Sequence, residues 1–425
     1  MSDYLENYID EHADELIELG DALFFHPELG FREFETKKII QNYLAKHGLA
    51  IDKEYAYTGF SVTIGQGCPH IGLIAELDAI PTRGHPFADA ETTAAHACGH
   101  STQGAIMLGV MAALNEYPDR PQGTVTLYFT PAEEFTDMAY RRNLVKEGKV
   151  RYCSGKQNML AEHIFDDADC LIHVHAMSGD QWRFSLGSVL SGFVYKKIAF
   201  LGKASHAAAL PDQGINALYE CTLFLNAVNM LRETFRDEDV VRLHGIIDDG
   251  GNTVNSIPDK VVYECYVRSV NPDVIREVSA KVTRAAEHCA AALGGSCIVE
   301  DTPGYLPLHQ SEELNEVILD SMHRYTEDRL IRRGEISPAA GDVGDVSMFK
   351  PIIQYGYAGF TGAIHGADLA VSDKQEIYVL QPKVVGHAVI DLLEHPEKVQ
   401  HIRDSFAPKM TNEEYIAYLD SGSAH

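Results

Sequence analysis

His70-Ile71-Gly72-Leu73-Ile74-Ala75-Glu76-Leu77-Asp78-Ala79-Ile80-Pro81 is an apolar run closed by acids and a proline. It is hydrophobic without alternation, which suits a strand buried on both faces. Its acids fall at the carboxyl end. Two later stretches repeat the arrangement. Gly123–Phe129 carries Val125, Leu127 and Phe129 and runs on into Glu133-Glu134, and Asp169–Val174 ends at His175. Helical patterns flank these runs. Ile9, Leu16, Leu19 and Leu23 mark one apolar face, Ile39, Ile40 and Leu44 another within Thr36–His47. Ser101–Leu114 places Ile106, Met107, Val110, Met111 and Leu114 at three- and four-residue spacing. Strands alternating with helices predict an α/β domain built on a doubly wound sheet. Ligands of such sheets gather beyond the strand carboxyl ends, so all three runs deliver metal-type side chains to one edge.

From about Ser188 the pattern changes to strand Phe193–Leu201, helix Asn216–Phe235, strands Val240–Ile247 and Lys260–Val270, helix Asp273–Leu293 and strand Ser296–Asp301. The order βαββαβ is the split ferredoxin-like unit, complete in itself. The first kind of pattern resumes near Glu312 and closes with a helix near Lys383–Leu393 and a polar tail. The expected domains are 1–187 with 304–425, and an insert at 188–303.

Size and charge agree with two domains. The 425 residues exceed what one ordinary core organises. A formal charge of −27 argues against nucleic acid or an anionic membrane as partner. No apolar run is long enough to span a bilayer, and the acidic N-terminus does not resemble a signal peptide. Eight scattered cysteines without paired spacing read as reduced thiols and a cytoplasmic protein.

The chemistry concentrates in His96-Ala97-Cys98-Gly99-His100. Thiolate and imidazole are donors that a borderline-soft divalent metal prefers, and Gly99 allows a turn tight enough for both to face one atom. A cysteine at the start of a helix also gains thiolate character from the macrodipole. Alone, such a pair is more often a buried thiol beside a packing histidine. Glu133-Glu134 alone would be solvated surface acids, although neighbours on an extended segment face opposite sides and can take different tasks. His175 and His365 stand singly, and His173 competes with His175 on the same strand.

Taken in order, the motifs resemble the M20 metallopeptidases. The likeness is to the amidohydrolase branch that includes indoleacetyl-amino-acid, hippurate and aminobenzoyl-glutamate hydrolases. His26-Pro27-Glu28-Leu29-Gly30-Phe31, Glu76–Pro81, His96–His100 and Pro131-Ala132-Glu133-Glu134 carry the resemblance in the first domain. Gly202–Ala207, Gly214–Ala217 and Asn255–Asp259 carry it in the insert, and Gly344-Asp345-Val346-Ser347 near the end. It implies an α/β, di-metal aminopeptidase-like catalytic domain with an inserted ferredoxin-like lid and dimerisation domain. Two divalent ions per subunit (zinc, manganese or cobalt) would be held by Cys98, His100, Glu134, His175 and His365, with Cys98 bridging. His175 is preferred to His173 because it lies six residues past Asp169, the family's spacing. Glu133, His206 and Asp78 would be catalytic: Glu133 as general base, His206 steadying the attacked carbonyl, Asp78 orienting a ligand. Asn255, Arg268 and His206 would bind substrate, with His206 serving the site of a partner subunit in a homodimer. The implied reaction is amide hydrolysis of small N-acyl or aminobenzoyl amino acids, or of a dipeptide-like compound.

Departures from the branch concern the pocket. Ser101 stands where Asp or Asn is usual, Phe135 and Gly366 where Gly and Ser are, and the charged stretch Phe135–Asp167 is longer than normal. Two rivals make different predictions. A cysteine hydrolase using Cys98 would ignore chelators, and leaves the Glu pair and His365 without work. A metal-bound scaffold or sensor would keep the ligands without turnover.

Overall fold

The computed structural model describes residues 2–179 and 181–421. The chain forms two compact units. One comprises the chain from its start to Val189, His309–Ile336 and Asp345–Met410. The other comprises Leu190–Leu308, Ser337–Gly344 and the segment from Thr411 onward.

The first unit is built on an eight-stranded sheet. Its spatial order is Lys53–Tyr55, Gly59–Gln66, Gly123–Thr130, His70–Glu76, Cys170–Ala176, Ile352–Tyr357, Phe184–Leu186 and Ile331–Arg333. The four middle strands are parallel, with Gly59–Gln66 and Phe184–Leu186 antiparallel beside them. His70–Glu76 is buried at every position after His70, as a continuous apolar run requires. Helix His100–Glu116 is buried from His100 through Leu114, which explains why it is apolar all round and lacks a polar stripe. Helix Ala13–Phe24 packs on it. At Gly109 the approach is close enough that a Cβ would lie 3.1 Å from Leu16.

Two expectations change here. The strand predicted at Asp169–Val174 runs over Cys170–Ala176, so His175, read as following the strand, lies within it as His173 does. Pairing with Ile352–Tyr357 in register through Ala176 extends it. The tail read as polar folds into helices Pro396–Ser405 and Asn412–Asp420. The second starts at a reciprocal capping box between Thr411 and Glu414, a Thr-x-x-Glu signal that compensates for a weak apolar face.

The second unit contains strands Gly192–Leu201, Arg242–Asp249, Lys260–Ser269 and Ser296–Pro303, with helices Ala217–Leu231 and Pro272–Ala292. The sheet is antiparallel throughout, with Arg242–Asp249 at one edge. The helices cover one face and share a core with Ile198, Phe200, Phe224, Val261, Val267 and Val282. Asn216 and Asn271 cap the two helices by accepting backbone N–H bonds.

The N-terminal helix is tied to the first unit by charge. Lys383 Nζ lies 3.0 Å from Glu6 Oε2, His387 Nε2 lies 2.9 Å from Glu6 Oε1, and the Tyr325 hydroxyl donates to Oε1 as well. Burial opposes ionisation of Glu6, but these three partners outweigh it and hold the carboxyl at about 2. A depressed carboxylate contributes stability that is present above its unfolded pKa and lost as pH falls through the folded value. Thermal unfolding followed from pH 7 down to pH 3 should therefore show Tm falling below about pH 5. In Glu6→Gln that fall should be shallower, and an identical fall in both proteins would remove Glu6 as a contributor.

Candidate metal centre

Three strand ends and two loops converge in the first unit. Cys98, His100 and His175 bring Sγ and two ring nitrogens within 4.8 Å of one another. Cys98, Glu134 and His365 form a second such trio, and His100, Glu133 and Glu134 a third. Every residue expected as a ligand is therefore present, and the first two trios share the cysteine.

Local structure explains the aim of each side chain. Gly99 adopts φ 80° as N-cap of the helix that starts at His100. A Cβ there would come 2.4 Å from the Ala176 Cβ, so only glycine lets the loop pass close to the histidine strand. His100 Nδ1 donates to the Asp78 carbonyl at 2.9 Å, and His175 Nδ1 to the Ala176 carbonyl at 2.9 Å. Each bond sets the tautomer and turns the Nε2 lone pair towards the cluster. His175 Nε2 lies 3.5 Å from Cys98 Sγ. On the same strand, His173 spends both nitrogens elsewhere, on Gln354 Oε1 at 3.0 Å and Gln103 Oε1 at 3.1 Å. His365 sits on a loop at φ 65°, a conformation an L-residue holds only under outside constraint, and its N–H donates to the Ala97 carbonyl at 2.7 Å.

Charge and burial hold two of the expected ligands, Glu134 and His175, in the form that binds a cation. Burial opposes ionisation of Glu134, yet His365 at 3.2 Å holds its carboxyl at about 2. Burial lowers His175 to about 4, which leaves it as the neutral imidazole that binds metals. His100 is drawn the other way: burial opposes its charge, but Glu76, Cys98 and Asp78 together raise it. Cys98 corrects an expectation. The helix begins two residues after it, and burial, with Glu134 adding to it, pushes the thiol well above its ordinary range. The macrodipole therefore does not supply a free thiolate here, whereas a bound cation would compensate the thiolate's charge.

Two buried atoms test whether a metal fits. His100 Nε2 and Glu134 Oε1 make no hydrogen bond of acceptable geometry among the described residues. Their nearest counterparts are Glu76 Oε2 at 3.1 Å and His365 Nε2 at 3.2 Å. Buried polar atoms are seldom left so, and a Cys/His/Glu donor set is satisfied by a borderline divalent cation. Asp78, fully buried, accepts the Glu134 N–H at 2.9 Å and lies 3.4 Å from His100 Nδ1.

The residues expected to hold substrate lie in the second unit. An isolated bridge pairs His206 with Ser256, and Ala207 N–H donates to the Asn255 carbonyl at 2.9 Å, so the segments carrying His206 and Asn255 run side by side. His206 Nδ1 accepts from the N–H groups of Ala208 and Ala209 at 3.3 and 3.1 Å, which leaves Nε2–H as a donor. Arg268 lies over the rings of Phe193 and Tyr266, 5.3 and 5.1 Å from their centroids, and donates to the Pro338 carbonyl at 3.3 Å.

Sequence reasoning missed the buried group behind His100. Glu76 pairs with Lys156 at 2.6 Å, and Gln103 Nε2 donates to Glu76 at 2.9 Å. Gln103 Oε1 accepts the Glu76 N–H at 2.9 Å. A lone lysine in a polar stretch gives no signal of a partner far away in the chain.

The sequence profile of Peptidase family M20/M25/M40 matches residues 72–379. Human Xaa-Arg dipeptidase is 26% identical to this chain, over 96% of it and 92% of the dipeptidase. An N-acetyl-L-cysteine deacetylase of Bacillus subtilis is 28% identical over 73% of this chain and 72% of its own. A dinuclear metal-binding peptidase from the M20 family, also from Bacillus subtilis, has the same fold. Its TM-score is 0.66 at 20% identity, covering 91% of this chain and 99% of that one. With the profile spanning most of the chain and the metal-type side chains gathered at the strand ends, the protein belongs to peptidase family M20/M25/M40, as a metal-dependent hydrolase of its amidohydrolase branch.

Proposed function

We propose that the protein hydrolyses the amide bond of a small N-acyl or aminobenzoyl amino acid, or of a dipeptide-like substrate, at a two-metal centre. The observation that carries the reading is the pair of ligand trios that share Cys98, with the two glutamates beside them. Cys98, His100 and His175 would hold one ion and Cys98, Glu134 and His365 the other. The tautomer-setting bonds of His100 and His175 support this choice, and the engaged nitrogens of His173 argue against that residue. Divalent ions in this position supply Lewis acidity and make water nucleophilic near neutral pH. Glu133 takes the proton of the attacking water and passes it to the departing nitrogen. Asp78 keeps His100 and the Glu134 backbone in line. His206, whose Nε2–H is available, donates to the carbonyl oxygen as charge develops there, in our reading from the partner subunit. Arg268 takes the substrate carboxylate in its fork, and Asn255 donates beside it.

A homodimer and a cytoplasmic setting belong to the same reading. Exposed Tyr219, Met230 and Ile246 on one helix and the edge strand of the second unit support self-association. No helix among the described residues is long and apolar enough to cross a membrane.

Related proteins bear names that divide between dipeptides and N-acyl amino acids, so the substrate is the question to test. The experiment is a panel of N-acetyl amino acids, aminobenzoyl-glutamate and dipeptides, each assayed with zinc, manganese or cobalt. The proposal expects one class to turn over only when metal is present. Turnover of no member with any of the three metals, by protein shown to carry two ions, would favour the scaffold reading instead.

A further inference from the structure

We propose that Arg141 is a positioning residue that fixes the backbone carrying Glu133 and Glu134, and that the long charged stretch after them delivers it. The proposal rests on the reading of Glu133 as base and Glu134 as ligand. Arg141 belongs to helix Met138–Lys146, inside Phe135–Asp167, and is fully buried despite its charge. Its Nη1 donates to the carbonyls of Ala132 at 3.0 Å and Cys153 at 2.8 Å, and its Nη2 donates to the carbonyl of Glu134. The guanidinium lies 3.8 Å from the Asp78 carboxylate and 5.5 Å from the centre of the Phe31 ring.

Two acids complete the arrangement. Ala132 N–H donates to Glu33 Oε1 at 2.8 Å, while Glu33 Oε2 accepts from the Thr58 hydroxyl at 2.5 Å. Glu134 N–H donates to Asp78 Oδ2 at 2.9 Å. The residues on either side of Glu133 are therefore each held at both N–H and carbonyl by a buried ionisable side chain. Ala132 itself is left-handed at φ 52°, a conformation that an alanine abandons unless its surroundings impose it. Arg141 and Glu33 impose it from the two ends of that residue. The direction in which a side chain leaves the chain follows from its backbone, so fixing these peptides fixes where the two carboxylates, which reach one cluster with His100, point. The site leaves the guanidinium little slack, because a Cβ on Gly30 would lie 2.3 Å from Nη2. A residue in this stretch could instead serve stability alone, and the two roles separate experimentally.

Arg141→Met and Arg141→Lys would be made in the full chain. Zinc affinity would be measured by competition with a chromophoric chelator, with the cobalt absorption spectrum, kcat, KM and thermal unfolding of each variant. In Arg141→Met, affinity for one ion should fall at least about tenfold and kcat about 100-fold, with KM within threefold of wild type. Lysine keeps the charge but cannot fork onto three carbonyls, so Arg141→Lys should fall between, with an altered cobalt spectrum and an unchanged unfolding temperature. Folded Arg141→Met with wild-type zinc affinity and kcat would overturn the proposal. Should the methionine variant fail to fold, the lysine variant decides: a wild-type cobalt spectrum and kcat there overturn it equally. Glu133→Gln separates the layers. If that variant is inactive while Arg141→Met is normal, the Arg141 proposal alone fails; if it turns over normally, the reading of Glu133 fails first.

Discussion

Replacing Glu133 with glutamine is expected to leave the fold and both metals in place and to lower kcat about 10²–10⁴-fold, the range that a positioned general base contributes. Glutamine has the same shape and loses only the ability to accept a proton. Glu133 is buried, and its Oε2 lies 3.9 Å from His100 Nε2, so it faces the cluster and not solvent. The measurement is kcat on the best member of the substrate panel at saturating metal, with metal content determined on the same sample. Turnover within threefold of wild type with both ions bound would end the role of base. A third result is informative because His100, Glu133 and Glu134 form a trio within ligand reach. Loss of an ion from Glu133→Gln would mean that the two glutamates exchange tasks, with Glu133 on the metal.

How far the sequence was legible depended on how far chemistry restricts residue type. Cys98 and His100 stood out because metal ligation admits few side chains and the two open a readable helix, and Glu134 and His175 because each closes a run whose hydrophobicity is itself readable; the resemblance supplied their roles as ligands. His365 had no such flank; only the resemblance singled it out, and its φ of 65° shows a loop whose shape local propensity does not encode. The choice between His173 and His175 stayed open in sequence because both fall on one face of one strand. Gln354 and Gln103 distinguish them, and neither neighbour can be inferred from spacing. The supporting acids and bases were the least legible. Glu33, Lys156 and Arg141 look like surface charges when only the chain is read, yet all three are buried. Their partners are backbone groups, a hydroxyl and carboxylates brought to them by the fold, and burial of a charge is decided by those contacts. The ends of elements drifted for a related reason: partner strands extended Cys170–Ala176, and a capping box started the last helix.

Cys98→Ser is expected to weaken both metal sites at once, by more than about 100-fold in zinc affinity, beyond what loss of a supporting contact produces. Cys98 is the residue common to the two trios that would each hold an ion, so its loss touches both at once. His365→Ala should impair one ion and leave the other near its wild-type affinity, because His365 occurs in one of those trios only. Serine is the severe replacement, since its hydroxyl stays protonated where a thiol can be ionised by a metal. The Cys98 thiol is itself pushed up by burial and by Glu134, so its thiolate form depends on the cation it faces. Competition titrations with zinc should therefore resolve two sites in wild type, one strong site in His365→Ala and no strong site in Cys98→Ser. Activity should follow the same order and return on adding metal to the chelated wild-type protein. Two wild-type affinities in Cys98→Ser would remove the cysteine from the ligand set. Activity that survives exhaustive chelation but is lost on alkylation of Cys98 would instead mean that the thiol is the nucleophile, and the shared corner of the two trios would need another explanation.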